Sequence, residues 1–172
     1  SDLDQIKNAT KIILPGVGSF ENGMKNLKEL DLIEVLNHEV LIEKTPILGI
    51  CLGMQLMTKS SEEGGLSGLG WVDAQTKKFL SNTHKIPHMG WNLIKHQKSS
   101  HLFDEMESEK RFYFVHSYYV SCDQEVDILT NTNYTQDFVS SFERKNIIGV
   151  QFHPEKSHKF GMSLLKNFVE KY

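Results

Sequence analysis

Apolar positions in this chain change their spacing twice, and each change marks a change of structure. Lys11-Ile12-Ile13-Leu14 is a short apolar block, the pattern of a strand that is buried on both faces if it is central. The polar residues before it carry Leu3 and Ile6 at helical spacing and read as the tail of a helix. Over residues 21–43 the period becomes helical, with Met24, Leu27 and Leu30, then Leu32, Val35 and Leu36. Val40-Leu41-Ile42 extends the apolar stretch, and Thr45-Pro46 stops the helix. A second apolar block, Ile47 to Ile50, is followed by a helix-compatible run to about Lys59. From Leu66 onward short strands dominate. Trp71–Phe79, residues 111–120, Val126–Thr130, Phe138–Phe142 and Asn146–Phe152 are rich in aromatic and β-branched residues. Ile86–Asn92 reads as a loop. Met162, Leu165, Phe168 and Val169 then share one face of a closing helix.

This order predicts an α/β fold: a mostly parallel open sheet with flanking helices, and antiparallel strands in the second half. Residues 1–172 are expected to form one domain. Ligands of such sheets bind beyond the carboxyl ends of the strands. Three segments fall at such ends: Pro15-Gly16-Val17-Gly18, Cys51, and the residues after Phe152.

The stretch Gly49-Ile50-Cys51-Leu52-Gly53 sits between the second apolar block and its helix. A strand, a sharp turn and a helix around Gly-x-Cys-x-Gly form the pattern of a nucleophile elbow, with cysteine as the nucleophile. The turn brings residues two before and two after the nucleophile against other backbone, where only glycine fits. The helix start is expected to favour a thiolate at Cys51. Taken alone, the motif also fits a cysteine buried in a core strand.

Composition narrows the partners. The net charge is −3, which gives no electrostatic reason to expect nucleic acid or an anionic membrane. Cys51 and Cys122 are too few for a disulfide framework and suit a reducing cytosol, so a cytoplasmic protein is expected. No apolar run reaches membrane-spanning length, and the first residues do not read as a signal peptide. Among eight histidines, His84 and His88 are four apart, but Pro87 interrupts the helix that would align them, so no metal site is expected.

His153-Pro154-Glu155 completes a candidate set. In extended backbone His153 and Glu155 share a face. An imidazole beside Cys51 can take its proton, and a carboxylate on the far ring nitrogen can orient the ring. The N–H of Leu52 and an N–H from Gly16, Val17 or Gly18 are candidate oxyanion donors. Ser60–Gly65 reads as a solvated turn or as a loop in which a carboxylate, Glu62 or Glu63, holds a cationic amine near the elbow. Cys122 reads as structural.

Leu14-Pro15-Gly16-Val17-Gly18, Gly49 to Gln55 and Val150 to Ser157 together resemble the triad, or class I, glutamine amidotransferases. Pro87–Asn92 and Tyr113–Tyr118 are most similar to the branch formed by the glutaminase subunits of imidazole glycerol phosphate synthase. The resemblance runs from about Lys11 to about Phe168. It implies a flavodoxin-like fold and no cofactor. It implies that Cys51 attacks the side-chain amide of glutamine, with His153 as base and then acid and Glu155 as its orienter. Gln55 and Glu63 match positions that hold glutamine, Gly53 lies in the same motif, and His116, Ser117 and Tyr118 match a segment lining that pocket. Trp91 and Lys156 match positions near a (β/α)8-barrel synthase subunit that receives the ammonia for histidine biosynthesis. The Val17 region is implied to reorient when the partner's site is occupied.

Two features depart from that pattern. The family's usual first βα unit, bearing Asp-Tyr-Gly-x-Gly-Asn, is not seen, so the first strand is expected to present an open edge. Lys156–Met162 is more similar to a branch linked to surface-polysaccharide synthesis, where the ammonia serves amidation of a sugar. A cysteine peptidase-like hydrolase and an inactive regulatory domain are the readings from other classes.

Overall fold

The computed structural model describes residues 3–106 and 109–172. The polar start forms a short helix, α1 (Leu3–Lys7), and leads into strand β1 (Ile12–Gly16). Ser1 and Asp2, at the head of the expected helical tail, lie outside the described residues. The helical stretch that follows is two helices rather than one. Helix α2 (Phe20–Glu29) stops where Asp31 takes a left-handed conformation, φ 53°. Helix α3 (Leu32–Asn37) resumes at a new angle and widens into a π-helical turn over His38–Ile42 before Pro46.

The second apolar block is strand β2 (Ile47–Cys51), buried along its whole length, and α4 (Leu52–Leu56) follows directly. Helix α4 ends short of Lys59 for two local reasons. The Thr58 hydroxyl donates to the Gln55 carbonyl at 2.8 Å, and the Lys59 N–H is already paired to Ala74. Two-residue strands β3 (Ser60–Ser61) and β4 (Leu66–Ser67) flank the Glu62–Gly65 turn. Then come β5 (Ala74–Lys78), β6 (His88–Leu93), β7 (Lys95–His96), β8 (Arg111–His116) and β9 (Tyr118–Cys122). Strands β10 (Ile128–Asn133), β11 (Asp137–Arg144) and β12 (Ile147–Val150) precede the closing helix α5 (His158–Lys171).

Two sequence expectations need correction here. The segment expected as a loop, Ile86–Asn92, is mostly strand: β6 pairs antiparallel with β8 in a separate two-stranded sheet. The single strand expected over residues 111–120 is two strands in different sheets. At Ser117 the chain crosses over, and His116 Nδ1 bonds the Tyr118 carbonyl at 2.7 Å across that corner.

The main sheet runs β1-β2-β12-β11-β9-β5-β3-β4, with β10 paired on β11 and β7 on β10. Strands β1, β2 and β12 are parallel, although β12 comes from the far end of the sequence. Their register sets Gly16 beside Cys51 and Val150 beside Ile50. All three strands therefore release their chains at one sheet edge. Among the described residues β1 ends the strand order, so it alternates in burial and is not covered on both faces.

Sequence alternation along β2 divides the core. Ile47 packs with Phe20, Leu27, Leu36 and Met54 on the face covered by α2, α3 and α4. Leu48 and Ile50 pack with Phe112, Phe114, Phe152, Leu164 and Phe168 on the face covered by α5 and β8. Each such side chain contributes about 1.5–3 kcal/mol when fully buried. Phe112 and Phe152 stack at 4.0 Å, which anchors the segment leading to His153. No helix among the described residues is long and apolar enough to cross a membrane.

Candidate active site

The turn from β2 to α4 is as tight as the glycine spacing requires. Cys51 has φ 53° and ψ −107°, a conformation L-residues rarely adopt. A Cβ on Gly53 would lie 1.8 Å from the Leu14 carbonyl oxygen, and one on Gly49 would lie 2.8 Å from the Met54 nitrogen. Both positions exclude any side chain. A Cβ on Gly16 would meet the Leu52 side chain at 3.0 Å, so the end of β1 is pressed against the elbow. The elbow thus holds Cys51 at the sheet edge through backbone contacts that no flexible group can relax.

Cys51 opens into a cavity of about 350 Å³. Val17, Gly18, Leu52, Gln55, Glu63, His116, Ser117, Tyr118, His153 and Lys156 share its walls, and so do Pro87 and Val115. Most of the expected site residues meet there. Gly16 and Gly53 do not line it; they pack beneath the elbow. Trp91 also lies elsewhere, in a cleft with Arg111, His158, Lys159 and Phe160, stacked on the His158 ring at 5.4 Å.

His153 is buried, and its Nδ1 lies 2.7 Å from Glu155 Oε1. A carboxylate accepts, so Nδ1 carries the hydrogen and Nε2 of the neutral ring carries the lone pair. Nε2 is buried and has no hydrogen-bond partner among the described residues. A buried basic atom without a partner is costly, and His153 lines the chamber that Cys51 enters. The imidazole is therefore oriented through Nδ1, with Nε2 unpaired among the described residues.

The cysteine environment differs from the sequence expectation of a resting thiolate. Burial pushes the Cys51 thiol up to about 11, and nearby Glu155 adds to the rise. The Leu52 N–H, the Gln151 amide and Lys156 act in the opposite direction but do not offset burial. Helix α4 is only five residues long, so its start adds little field. Near pH 7 Cys51 therefore rests as a thiol. Burial pushes the Cys122 thiol up to about 12 as well.

The neighbouring side chains hold defined positions. Gln55 donates from Nε2 to the Tyr118 carbonyl at 3.1 Å and to Gln151 Oε1 at 3.0 Å. Both amide hydrogens are thereby used, and a ligand can meet Gln55 only through Oε1. Glu63 Oε2 accepts the Phe20 N–H at 2.7 Å, which ties the Glu62–Gly65 turn to the first turn of α2. His116 has both ring nitrogens occupied, by the Tyr118 carbonyl at 2.7 Å and by His88 Nδ1 at 3.0 Å. It lines the cavity as a wall and offers no free nitrogen to a ligand. Burial lowers His88 to about 4 and His116 to about 3, so both rings are neutral near pH 7. Sequence reasoning did not assign His88 or Gln151 to the site. For His88 the available signal was the dense Pro87–Asn92 segment. Gln151 stands in the Val150–Ser157 segment that carries the resemblance, but no spacing pattern gave it a role. Among the described residues no cluster of side chains has the make-up of a metal site.

With this geometry in hand, the comparisons with known proteins are specific. Residues 1–172 match the family described as glutamine amidotransferase class-I. A relative from Methanococcus maripaludis, named imidazole glycerol phosphate synthase subunit HisH 2, is 59% identical over 171 residues, covering 99% of this chain and 85% of the relative. A Pseudomonas aeruginosa protein of the same name is 47% identical over 97% of this chain and 83% of its own length. Among solved structures, one described as a glutamine amidotransferase superposes with a TM-score of 0.72 at 14% identity, over 98% of this chain and 84% of its own. The glutaminase domain of Trypanosoma brucei CTPS gives 0.63 at 16% identity, over 99% and 75%. Those two likenesses concern the fold. Family match and close relatives both span the elbow and the cavity it feeds, and this chain belongs to the class I glutamine amidotransferases.

Proposed function

We propose that this chain is the glutaminase subunit of an imidazole glycerol phosphate synthase. It hydrolyses glutamine to glutamate and ammonia and hands the ammonia to a (β/α)8-barrel synthase subunit. The observation that carries the reading is the cavity common to Cys51 and His153, with Glu155 on the outer nitrogen of the imidazole. The names of the relatives support the pathway.

The reaction divides among the residues as follows. His153 Nε2 takes the Cys51 proton as sulfur attacks the side-chain carbonyl carbon of glutamine. The Leu52 N–H and an N–H of the Gly16–Gly18 turn receive the negative charge that develops on the oxygen. The tetrahedral intermediate collapses, the C–N bond breaks, and the imidazolium returns its proton to the departing ammonia. Water then gives a proton to the same imidazole and attacks the γ-glutamyl thioester. Glutamate leaves and the thiol is restored. Glu155 fixes the ring tautomer throughout. Gln55 Oε1 and Glu63 hold the α-ammonium group of the substrate, and Ser117 and Tyr118 shape its far wall.

The partner docks over the β6–β8 hairpin. Met89, Trp91 and Lys156 are the residues in question. Met89 and Trp91 are 62% and 44% exposed on one face of β6, and Met89 pairs with Val115, which lines the cavity. Val17, 81% exposed on the glycine turn, lies at the same mouth and is free to move when a partner arrives.

The test is glutamate release measured with and without the synthase subunit, with a peptide library run alongside. Partner-dependent glutamate release is expected. Peptide cleavage without glutamate release would replace this reading with that of a cysteine peptidase.

A further inference from the structure

Cys51 has a further neighbour, in the same Val150–Ser157 segment as His153 and Glu155. Gln151 is fully buried, directly after β12, and its Nε2 lies 3.7 Å from Cys51 Sγ. An amide can present either its nitrogen or its oxygen to a sulfur. Here the choice is forced from a distance. The Tyr118 carbonyl is a backbone acceptor and accepts from Gln55 Nε2 at 3.1 Å. Gln55 must therefore direct its NH₂ group that way, and the second hydrogen of that group meets Gln151 at 3.0 Å. The Gln151 atom facing a donor must be its oxygen. Its nitrogen is then the atom left for Cys51.

The same carbonyl also accepts from His116 Nδ1 at 2.7 Å. That leaves His116 Nε2 as an acceptor for His88 Nδ1, and His88 Nε2 as an acceptor for Asn92 Nδ2 at 3.3 Å. One backbone carbonyl thus sets the direction of two hydrogen-bond chains, one of which ends at the sulfur. Both partners of Gln151 are buried, so water does not compete with them.

We infer that Gln151 is a thiolate-stabilising residue, holding an N–H against Cys51 sulfur in an orientation that Gln55 and the Tyr118 carbonyl dictate. A thiol gains little from such a donor. A thiolate gains a charge-assisted hydrogen bond from a donor that is itself fully buried. Gln151 therefore favours ionisation of Cys51 at the moment His153 removes the proton, and it supplements the Leu52 N–H. The inference rests on Cys51 being the nucleophile of the proposed reaction. It also gives Gln55 a second duty, to hold Gln151 in place whether or not substrate is bound.

The charged and titratable groups around the sulfur are His153, Glu155 and Lys156 after β12, Glu63 from the turn after β3, His116 from β8 and Tyr118 from β9. None of them changes in the test. The full-length chain is alkylated with iodoacetamide across pH 6–10, and Cys51 and Cys122 peptides are quantified separately. Iodoacetamide needs no glutamine pocket. Gln151→Leu should move the Cys51 profile upward by about one pH unit and slow labelling at pH 7.5 about tenfold. The Cys122 profile should not change. Gln151→Glu, nearly isosteric, should give at least as large a shift. Gln55→Met should give part of the shift, and the double variant with Gln151→Leu should fall short of the sum. Circular dichroism checks that each variant is folded; if Gln151→Leu is not, Gln151→Glu carries the test. Unchanged Cys51 profiles in folded Gln151 variants would overturn the inference. Glutamate release by the wild-type chain with its synthase partner is measured in parallel. Its absence would sink the proposed function separately, whatever the labelling profiles show.

Discussion

Glu63 and Phe20 are 43 positions apart, yet the Glu63 carboxylate accepts the Phe20 backbone N–H at 2.7 Å. The bond satisfies one of the donors left open at the start of α2 and adds negative charge where the helix dipole favours it. It also pins the turn after β3 to the first turn of α2, next to the glycine turn after β1. Ser19 supplies the second cap at the same helix end through Asn22.

This double use of Glu63 separates by substitution. Glu63→Ala removes both the cap and the charge. It should cost about 1 kcal/mol, a fall of roughly 2–4 °C in Tm, and raise KM for glutamine. Glu63→Gln keeps an oxygen for the Phe20 N–H and loses the charge. Its Tm should stay near wild type while KM still rises. Scanning calorimetry and steady-state glutaminase kinetics in the synthase complex read the two effects apart. An unchanged KM in both variants would remove Glu63 from the ammonium site.

The imidazole of His153 gives a kinetic prediction. Glu155 holds Nδ1 but is itself half exposed, so solvent screens part of its influence. Glu155→Gln should lower kcat roughly 10–100-fold and leave KM nearly unchanged, since the residue touches the ring and not the substrate. Cys51→Ala should abolish glutamine-dependent synthesis outright. Both variants should retain ammonia-dependent synthesis in the complex. Loss of that second activity would mean the division of labour between the subunits is misassigned.

The elbow and the His153–Glu155 pair were readable because each is local in sequence. Glycines at 49 and 53 mark the elbow, and His153 and Glu155 are two residues apart, so spacing alone carries the geometry. Strand and helix positions near the elbow were readable for the same reason. The β6–β8 hairpin was not, because Pro87-His88-Met89-Gly90 reads as a breaker while its pairing partner lies 28 residues away at His116. The break at Ser117 was hidden inside a run of residues that all favour strands. Glu63 on Phe20 and Gln151 on Gln55 are long-range bonds between polar groups, and no periodicity records those. The resting state of Cys51 was misjudged because a helix start is visible in sequence and burial of the sulfur is not.

Burial of His88 and His116 makes stability depend on pH in a defined direction. In the folded chain the two titrate near 4 and 3; in the unfolded chain both sit near 6.5. Between those values the unfolded chain binds more protons, so stability falls as pH falls below about 6.5 and is fully present above it. Each site contributes at most about 1.4 kcal/mol per pH unit in that window. Tm should therefore decline by several degrees from pH 7 to pH 5. His88→Phe, which keeps the stacking on Phe114 and Tyr134, should flatten the slope over that range even if its Tm at pH 7 is lower. An identical slope in wild type and variant would show that other groups govern acid stability.

Glycines around the cavity should respond to substitution in opposite ways. Gly53→Ala places a carbon 1.8 Å from the Leu14 carbonyl, which is backbone of β1 and cannot turn aside. Relief would require β1 to leave β2, so the variant should fail to fold or be recovered insoluble. Gly18 differs. Its φ of 103° strains any other residue, but a Cβ there meets no atom within 4 Å. Gly18→Ala should fold, with a stability loss of about 1–2 kcal/mol from the backbone conformation alone. Its effect on glutamine hydrolysis should exceed its effect on stability, because Gly18 lines the cavity mouth beside Val17 and the substituted turn resists the peptide rotation that an oxyanion donor would require. Soluble expression, Tm and kcat in the synthase complex distinguish the cases. A folded, active Gly53→Ala would show that the elbow is looser than its contacts require, and a fully active Gly18→Ala would free the glycine turn from any part in the reaction.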